Sequence, residues 1–154
     1  MMQIKLFAIL FAVISAGSIR RTQKSQIVRL YSVKTGRHLA IKSERVSSTE
    51  QISNEYSEVR FVQTGSNQFA IQGVKTGLFI KRSNGRRSLK VTSNIEKAEI
   101  FTQNDNSENN YSVYKLVKNP KCKLIVKNNG KPLISCNDNK NDSFLPRHTH
   151  LKRA

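Results

Sequence analysis

The side chains with the most chemistry to offer are cations. Between Lys115 and Ala154 the chain carries ten Lys or Arg and only two acids, Asp138 and Asp142. Lys81 to Lys90 adds Arg82, Arg86 and Arg87 with no acid, whereas Glu44, Glu50, Glu55 and Glu58 sit together earlier. Over 154 residues, 27 Lys and Arg stand against 10 Asp and Glu, a formal net charge of +17. Cations gathered in this way neutralise a polyanion and release its condensed counterions, so affinity falls with salt. Charge spread for solubility alone would not be so lopsided along the chain. His38, His148 and His150 have no metal-ligand spacing, and no phosphate loop, metalloprotease helix or nucleophile elbow is present. The residue types point to binding rather than catalysis, with no cofactor and no metal.

The N-terminus suggests where the polyanion is met. One positive charge within Met1 to Lys5 precedes nine unbroken apolar residues, Leu6 to Ile14, and then the small residues Ser15-Ala16-Gly17-Ser18. That is the pattern of a secretory leader, and the run is too short for a membrane span. We expect residues 1–17 to be a signal peptide, 18–25 a flexible segment, and 148–154 a basic tail. Outside the cell, sulfated glycosaminoglycans are the expected polyanions and nucleic acid is not. Apolar residues make up 37% of the chain and Trp is absent, which is polar for one globular domain but not polar enough for disorder.

Strands must position these groups. Nine β-rich runs are predicted: 27–33, 38–41, 58–62, 68–72, 78–80, 99–102, 111–117, 123–126 and 133–135. Asn84-Gly85 and Asn129-Gly130 are hairpin signals, because Gly accepts the positive φ such turns need. The chain also repeats. Val33-Lys34-Thr35-Gly36 returns 41 residues later as Val74-Lys75-Thr76-Gly77, and Val117-Lys118-Asn119-Pro120 stands 43 further on. Apolar strands precede these turns, ending at Tyr31, Ile71 and Tyr114, and others follow with Leu39, Ile80 and Leu124. Three units of about forty residues fit three-fold closure into one all-β barrel. Arg82 falls where the other units offer Ile41 and Val126, which suggests a register slip of one.

Particular strings resemble the fibroblast growth factors. They are Arg29-Leu30-Tyr31, Ile71-Gln72-Gly73-Val74, Gly77-Leu78-Phe79-Ile80, Glu99-Ile100-Phe101-Thr102-Gln103, Asn109-Asn110-Tyr111-Ser112-Val113-Tyr114 and Phe144-Leu145-Pro146-Arg147. The resemblance implies a β-trefoil over residues 26–147 and a secreted ligand. Its partners would be heparan sulfate and the ectodomain of a fibroblast growth factor receptor-type tyrosine kinase. It carries heparan-sulfate binding onto Lys127, Asn128, Lys131 and Lys140, with Lys34 added from the first turn. Asp138 and Asp142 would weaken that site. Receptor contact is carried onto Tyr31, Asn109, Tyr111 and Leu145. Gln103 stands where an acid is usual and Arg147 where an apolar residue is usual, so receptor choice is expected to differ. The alternative is a trefoil carbohydrate-binding protein without a receptor, although the missing Trp removes the stacking ring of the Gln-x-Trp lectins.

Cys122 and Cys136 offer one further piece of chemistry. With Asn128-Asn129-Gly130 as a three-residue loop, Lys127 faces Lys131 and the cysteines fall opposite each other. A cross-strand Cβ separation of about 4.5–5.5 Å is slightly wide for a disulfide, so both a bridge and two free thiols stay open. Asn110-Tyr111-Ser112 and Asn141-Asp142-Ser143 match the glycosylation acceptor pattern, each inside an expected binding region.

Overall fold

The computed structural model describes residues 26–84, 86–137 and 142–149. The expected signal peptide, Gly85, Asp138, Lys140, Asn141 and most of the basic tail lie outside them. Among the described residues, twelve strands form one antiparallel sheet. Unit one contributes β1 (Ile27–Ser32), β2 (Arg37–Ile41), β3 (Val46–Thr49) and β4 (Glu58–Gly65). Unit two contributes β5 (Gln68–Gly73), β6 (Phe79–Arg82), β7 (Leu89–Thr92) and β8 (Phe101–Asp105). Unit three contributes β9 (Ser112–Leu116), β10 (Lys123–Val126), β11 (Pro132–Ser135) and β12 (Phe144–His148). All nine predicted runs overlap strands; β3, β7 and β12 are additional.

Pairing closes the barrel. β1 pairs with β4, β4 with β5, β5 with β8, β8 with β9, β9 with β12, and β12 returns to β1. The hairpins β2–β3, β6–β7 and β10–β11 gather at one end, each feeding from a barrel strand. Six barrel strands with three hairpins are a β-trefoil.

The three-fold repeat is visible bond by bond. Val33, Val74 and Val117 donate their N–H groups to the carbonyls of Ser143, Glu58 and Ile100, one from the end of each preceding unit. Gly36 and Gly77 hold φ of 70° and 69° in matching turns, where an L side chain would be strained. The third turn, which contains Pro120, is one residue longer. Period-two alternation places equivalent side chains inside. Leu30, Ile71 and Tyr114 form one triplet, Leu39, Ile80 and Leu124 a second, and Val59, Phe101 and Phe144 a third, all of them 0% exposed. Burying them removes apolar surface from water, the main stabilising term.

Two expectations change here. The residue equivalent to Ile71 and Tyr114 is Leu30, so Tyr31 points the other way, to the outside of β1. The register at Arg82 does not slip. Arg82 pairs with Leu89 beside the hairpin loop just as Ile41 pairs with Val46 and Val126 with Pro132. It is tolerated because that position is only half-buried in unit two, where a guanidinium can reach water along its apolar stem.

Candidate functional site

The β10–β11 hairpin is built as its sequence requires. Leu124 faces Ile134 and Val126 faces Pro132, which leaves Lys127 opposite Lys131. Lys127 N–H donates to the Lys131 carbonyl at 3.0 Å and Gly130 N–H to the Lys127 carbonyl at 2.8 Å, with Gly130 at φ 84°. The same register continues to Cys122 and Cys136, which are joined as a disulfide with Cα atoms 3.9 Å apart. The bridge ties the foot of the hairpin, while Ser48 Oγ bonds the Gly130 carbonyl at its tip.

This hairpin meets the first turn of the chain. Lys34, from unit one, and Lys127, Asn128 and Asn129, from unit three, line one shallow depression with Asp142. Lys34, Lys127 and Asn128 are exposed. Asn129 spends its carbonyl on the Lys131 N–H at 3.0 Å, whereas the Asn128 amide has no hydrogen bond among the described residues. Lys131 does not line the depression; it lies on the β11 side of the hairpin. Lys140, the remaining expected member, is outside the described residues.

Asp142 is not the surface acid its loop position suggests. It is 2% exposed. Its carboxylate accepts the Val126 N–H at 2.8 Å and the Ser32 hydroxyl at 3.4 Å. Burial pushes its pKa up, opposed by the Val126 hydrogen bond, Lys34, Ser32 and Lys123. Its work is to stitch the last strand to β1 and β10. A single sequence gives no sign of this, because the Ser32 partner is 110 residues away.

A second surface runs along the outside of β1 and β12. Tyr31 pairs with Leu145 across the ladder and with His38 on β2. The Arg147 guanidinium carbon sits 4.1 Å from the Tyr31 ring centroid, a cation–π contact. Arg29, opposite Arg147, is held by Glu58 at 3.0 Å and by Ser57. Phe144 pairs with Ser112, and this antiparallel register leads onward to Leu145 on one strand and Tyr111 on the other. Asn109 turns its side chain to accept the Tyr111 N–H at 3.0 Å. Tyr31, Leu145, Arg147, Tyr111 and Asn109 therefore share one outer strip.

Gln103 stands apart from that strip. It lines a depression at the open barrel mouth with Phe61, Phe69, Gln72, Pro146 and His148. Its amide donates to Asp105 at 2.8 Å and to Ser112 at 3.1 Å. Hydrogen bonds from Ser112 and Gln103 hold the Asp105 carboxyl below its usual pKa. Asp105, two residues beyond the position singled out by sequence, thus supplies a lasting negative charge beside Tyr111. His38, for which the sequence offers no role beyond a lack of metal-ligand spacing, is 1% exposed beneath Tyr31, with ring centroids 5.2 Å apart.

No helix among the described residues is long and apolar enough to cross a membrane. A β-trefoil that exposes a cationic depression and a tyrosine-bearing strip has the make-up of a binding protein. Residues 26–144 match the model of the fibroblast growth factor family. The chain belongs to that family, whose members are signalling ligands rather than enzymes. No curated protein matches it.

Proposed function

We propose that the chain is a secreted signalling ligand that binds heparan sulfate and engages a fibroblast growth factor receptor-type tyrosine kinase. Residues 1–17 would be its leader, 18–25 a lead-in, 26–147 the active trefoil and 148–154 a basic tail. The observation that carries the reading is the meeting of Lys34 with Lys127 and Asn128, contributed from opposite ends of a family-matched trefoil. Sulfates are permanent anions; ammonium groups neutralise them, and Asn128 can donate without adding repulsion. Lys131 would add to the same cationic field, and the family resemblance adds Lys140 to the ligand set.

The receptor would dock on Tyr31, Tyr111 and Leu145, with Asn109 and Gln103 at the margins. Tyrosine offers a large apolar ring with a hydroxyl for a partly wet interface. Arg147 lies over Tyr31, so the receptor surface that fits here is less apolar and more acidic than one built for an apolar residue. The glycan would tether ligand and receptor together, and individually weak contacts then combine through effective concentration.

The test is receptor phosphorylation on cells stripped of heparan sulfate, with and without added heparin, for wild type and Tyr31→Ala/Leu145→Ala. We expect a heparin-dependent signal that the double variant loses while still binding heparin. Heparin binding with no phosphorylation across the receptor set would contradict the signalling assignment and leave a glycan-binding protein.

A further inference from the structure

The acceptor pattern Asn110-Tyr111-Ser112 has no part in the core or in either binding surface as an acceptor. It runs from the end of the β8–β9 turn into the first residue of β9. In a secreted chain such a pattern marks a surface loop, and a bulky glycan persists only where folding leaves the asparagine amide in water.

The turn is built without the Asn110 side chain. Asp105 and Ser112 form the last pair of the β8–β9 ladder. Beyond it, Asn106 N–H donates to the Tyr111 carbonyl at 2.8 Å and Asn110 N–H to the Asn106 carbonyl at 3.1 Å. The Asn106 side chain accepts the Glu108 N–H at 2.9 Å, and the Asn109 side chain accepts the Tyr111 N–H at 3.0 Å. Asn110 takes the left-handed φ of 59°, which asparagine tolerates better than most residues. It is exposed, and its side-chain amide has no hydrogen bond among the described residues. Two asparagines of the turn are therefore committed to the backbone, and Asn110 is not.

The serine behaves in the opposite way. Ser112 is 1% exposed, and its hydroxyl donates to Asp105 at 2.6 Å and accepts the Gln103 amide at 3.1 Å. A transferase cannot reach that hydroxyl in the folded domain, so sugar transfer has to precede the docking of β9. Folding then draws Ser112 inward and leaves Asn110 outside, where a glycan displaces nothing.

We propose that Asn110 is an N-glycosylation site and that its glycan closes the receptor strip. The inference rests on the proposed secretion and on the proposed receptor strip. In the transfer, Asn110 Nδ2 attacks the anomeric carbon of an oligosaccharide carried on a lipid diphosphate. A C–N bond forms, the C–O bond to the diphosphate breaks, the lipid diphosphate leaves, and the amide gives up one proton. Asn110 stands between Asn109 and Tyr111, both on the strip, so a bulky hydrated glycan there fills space that a receptor needs. No residue of the β8–β9 turn lines the Lys34–Lys127 depression. The glycosylated chain therefore keeps its heparin affinity while its receptor affinity falls.

The experiment expresses the full chain in secreting animal cells and reads glycopeptide mass, receptor phosphorylation and heparin-column elution on the secreted protein. Wild type carries a glycan on Asn110 that peptide-N-glycosidase removes, leaving aspartate there. Asn110→Asp, the same chain made genetically, lacks the glycan. Both bare forms signal several-fold more strongly than glycosylated wild type, and the three elute from heparin together. A processed, secreted wild type that is bare at Asn110 overturns the proposal alone. A chain retained with residues 1–17 intact fails the leader reading and removes the proposal with it. A glycan on Asn110 whose removal leaves phosphorylation unchanged overturns the closure of the strip. If no form activates any receptor, the signalling reading fails and strip closure with it, while the glycopeptide mass decides the site separately.

Discussion

Asp142 gives the sharpest single perturbation, because its geometry and its charge make separable predictions. Its Oδ2 takes the N–H of Val126 at 2.8 Å, and Val126 is 1% exposed. Asp142→Ala leaves that amide without a partner in a dry site and should cost about 1–3 kcal/mol. Asp142→Asn keeps an acceptor of the same shape and should cost less than about 1 kcal/mol. The charge acts differently. A sulfate seated on Lys34 and Lys127 would share their depression with the carboxylate and be repelled by it. Asp142→Asn should therefore bind heparin more tightly than wild type, while Asp142→Ala loses stability. The folded-state pKa of Asp142 is raised by burial. Its protonation therefore contributes stability that is full below the unfolded value and lost as pH rises through the folded one. The asparagine variant lacks this dependence, so it gains on wild type as pH rises. Urea unfolding from pH 3 to 7 and heparin calorimetry measure both effects. Asparagine as damaging as alanine, with no gain in heparin affinity, would refute the reasoning.

Other expectations follow from single features. Reducing the Cys122–Cys136 bridge reopens a loop with a sequence separation of 14, which should cost about 3 kcal/mol on the chain-entropy account. The thermal midpoint should then fall by ~10 °C, and a scan with and without reductant checks it. His38 is held below its usual pKa by burial, then by Arg147 and Arg29. Neutral His38 therefore contributes stability that is present above its unfolded pKa and lost as pH falls through the folded one. His38→Phe should flatten the loss of stability between about pH 7 and 5; an unchanged profile would place the titrating group elsewhere.

Much of the trefoil was legible because the same physics is written three times. The Val-Lys-Thr-Gly turns announce positive φ, and Leu39, Ile80 and Leu124 mark equivalent inward positions. Two of the three additional strands carry weak local signals. β3 reads Val-Ser-Ser-Thr, and β12 contains Pro146, so their pairing is decided by neighbours rather than by propensity. The offset of Tyr31 by one residue shows how little a period-two pattern fixes without its partner strand, since a slip of one exchanges inside for outside. Lys34 was drawn to the C-terminal hairpin only through family resemblance. The inward turn of Asp142, the Gln103–Asp105–Ser112 cluster and the Arg147–Tyr31 stack are contacts across folded space, and residue types alone could not announce them.

The central claim is that sulfated glycan is held where the first turn meets the last hairpin. Heparin-column elution of wild type against Lys34→Ala/Lys127→Ala, with Lys75→Ala, the equivalent turn lysine that is paired with Glu55, as the control, tests it most directly. Elution of the double variant at distinctly lower salt, with the control unmoved, is the predicted result. A double variant that elutes with wild type, or a control that shifts as far as the double variant, would contradict it.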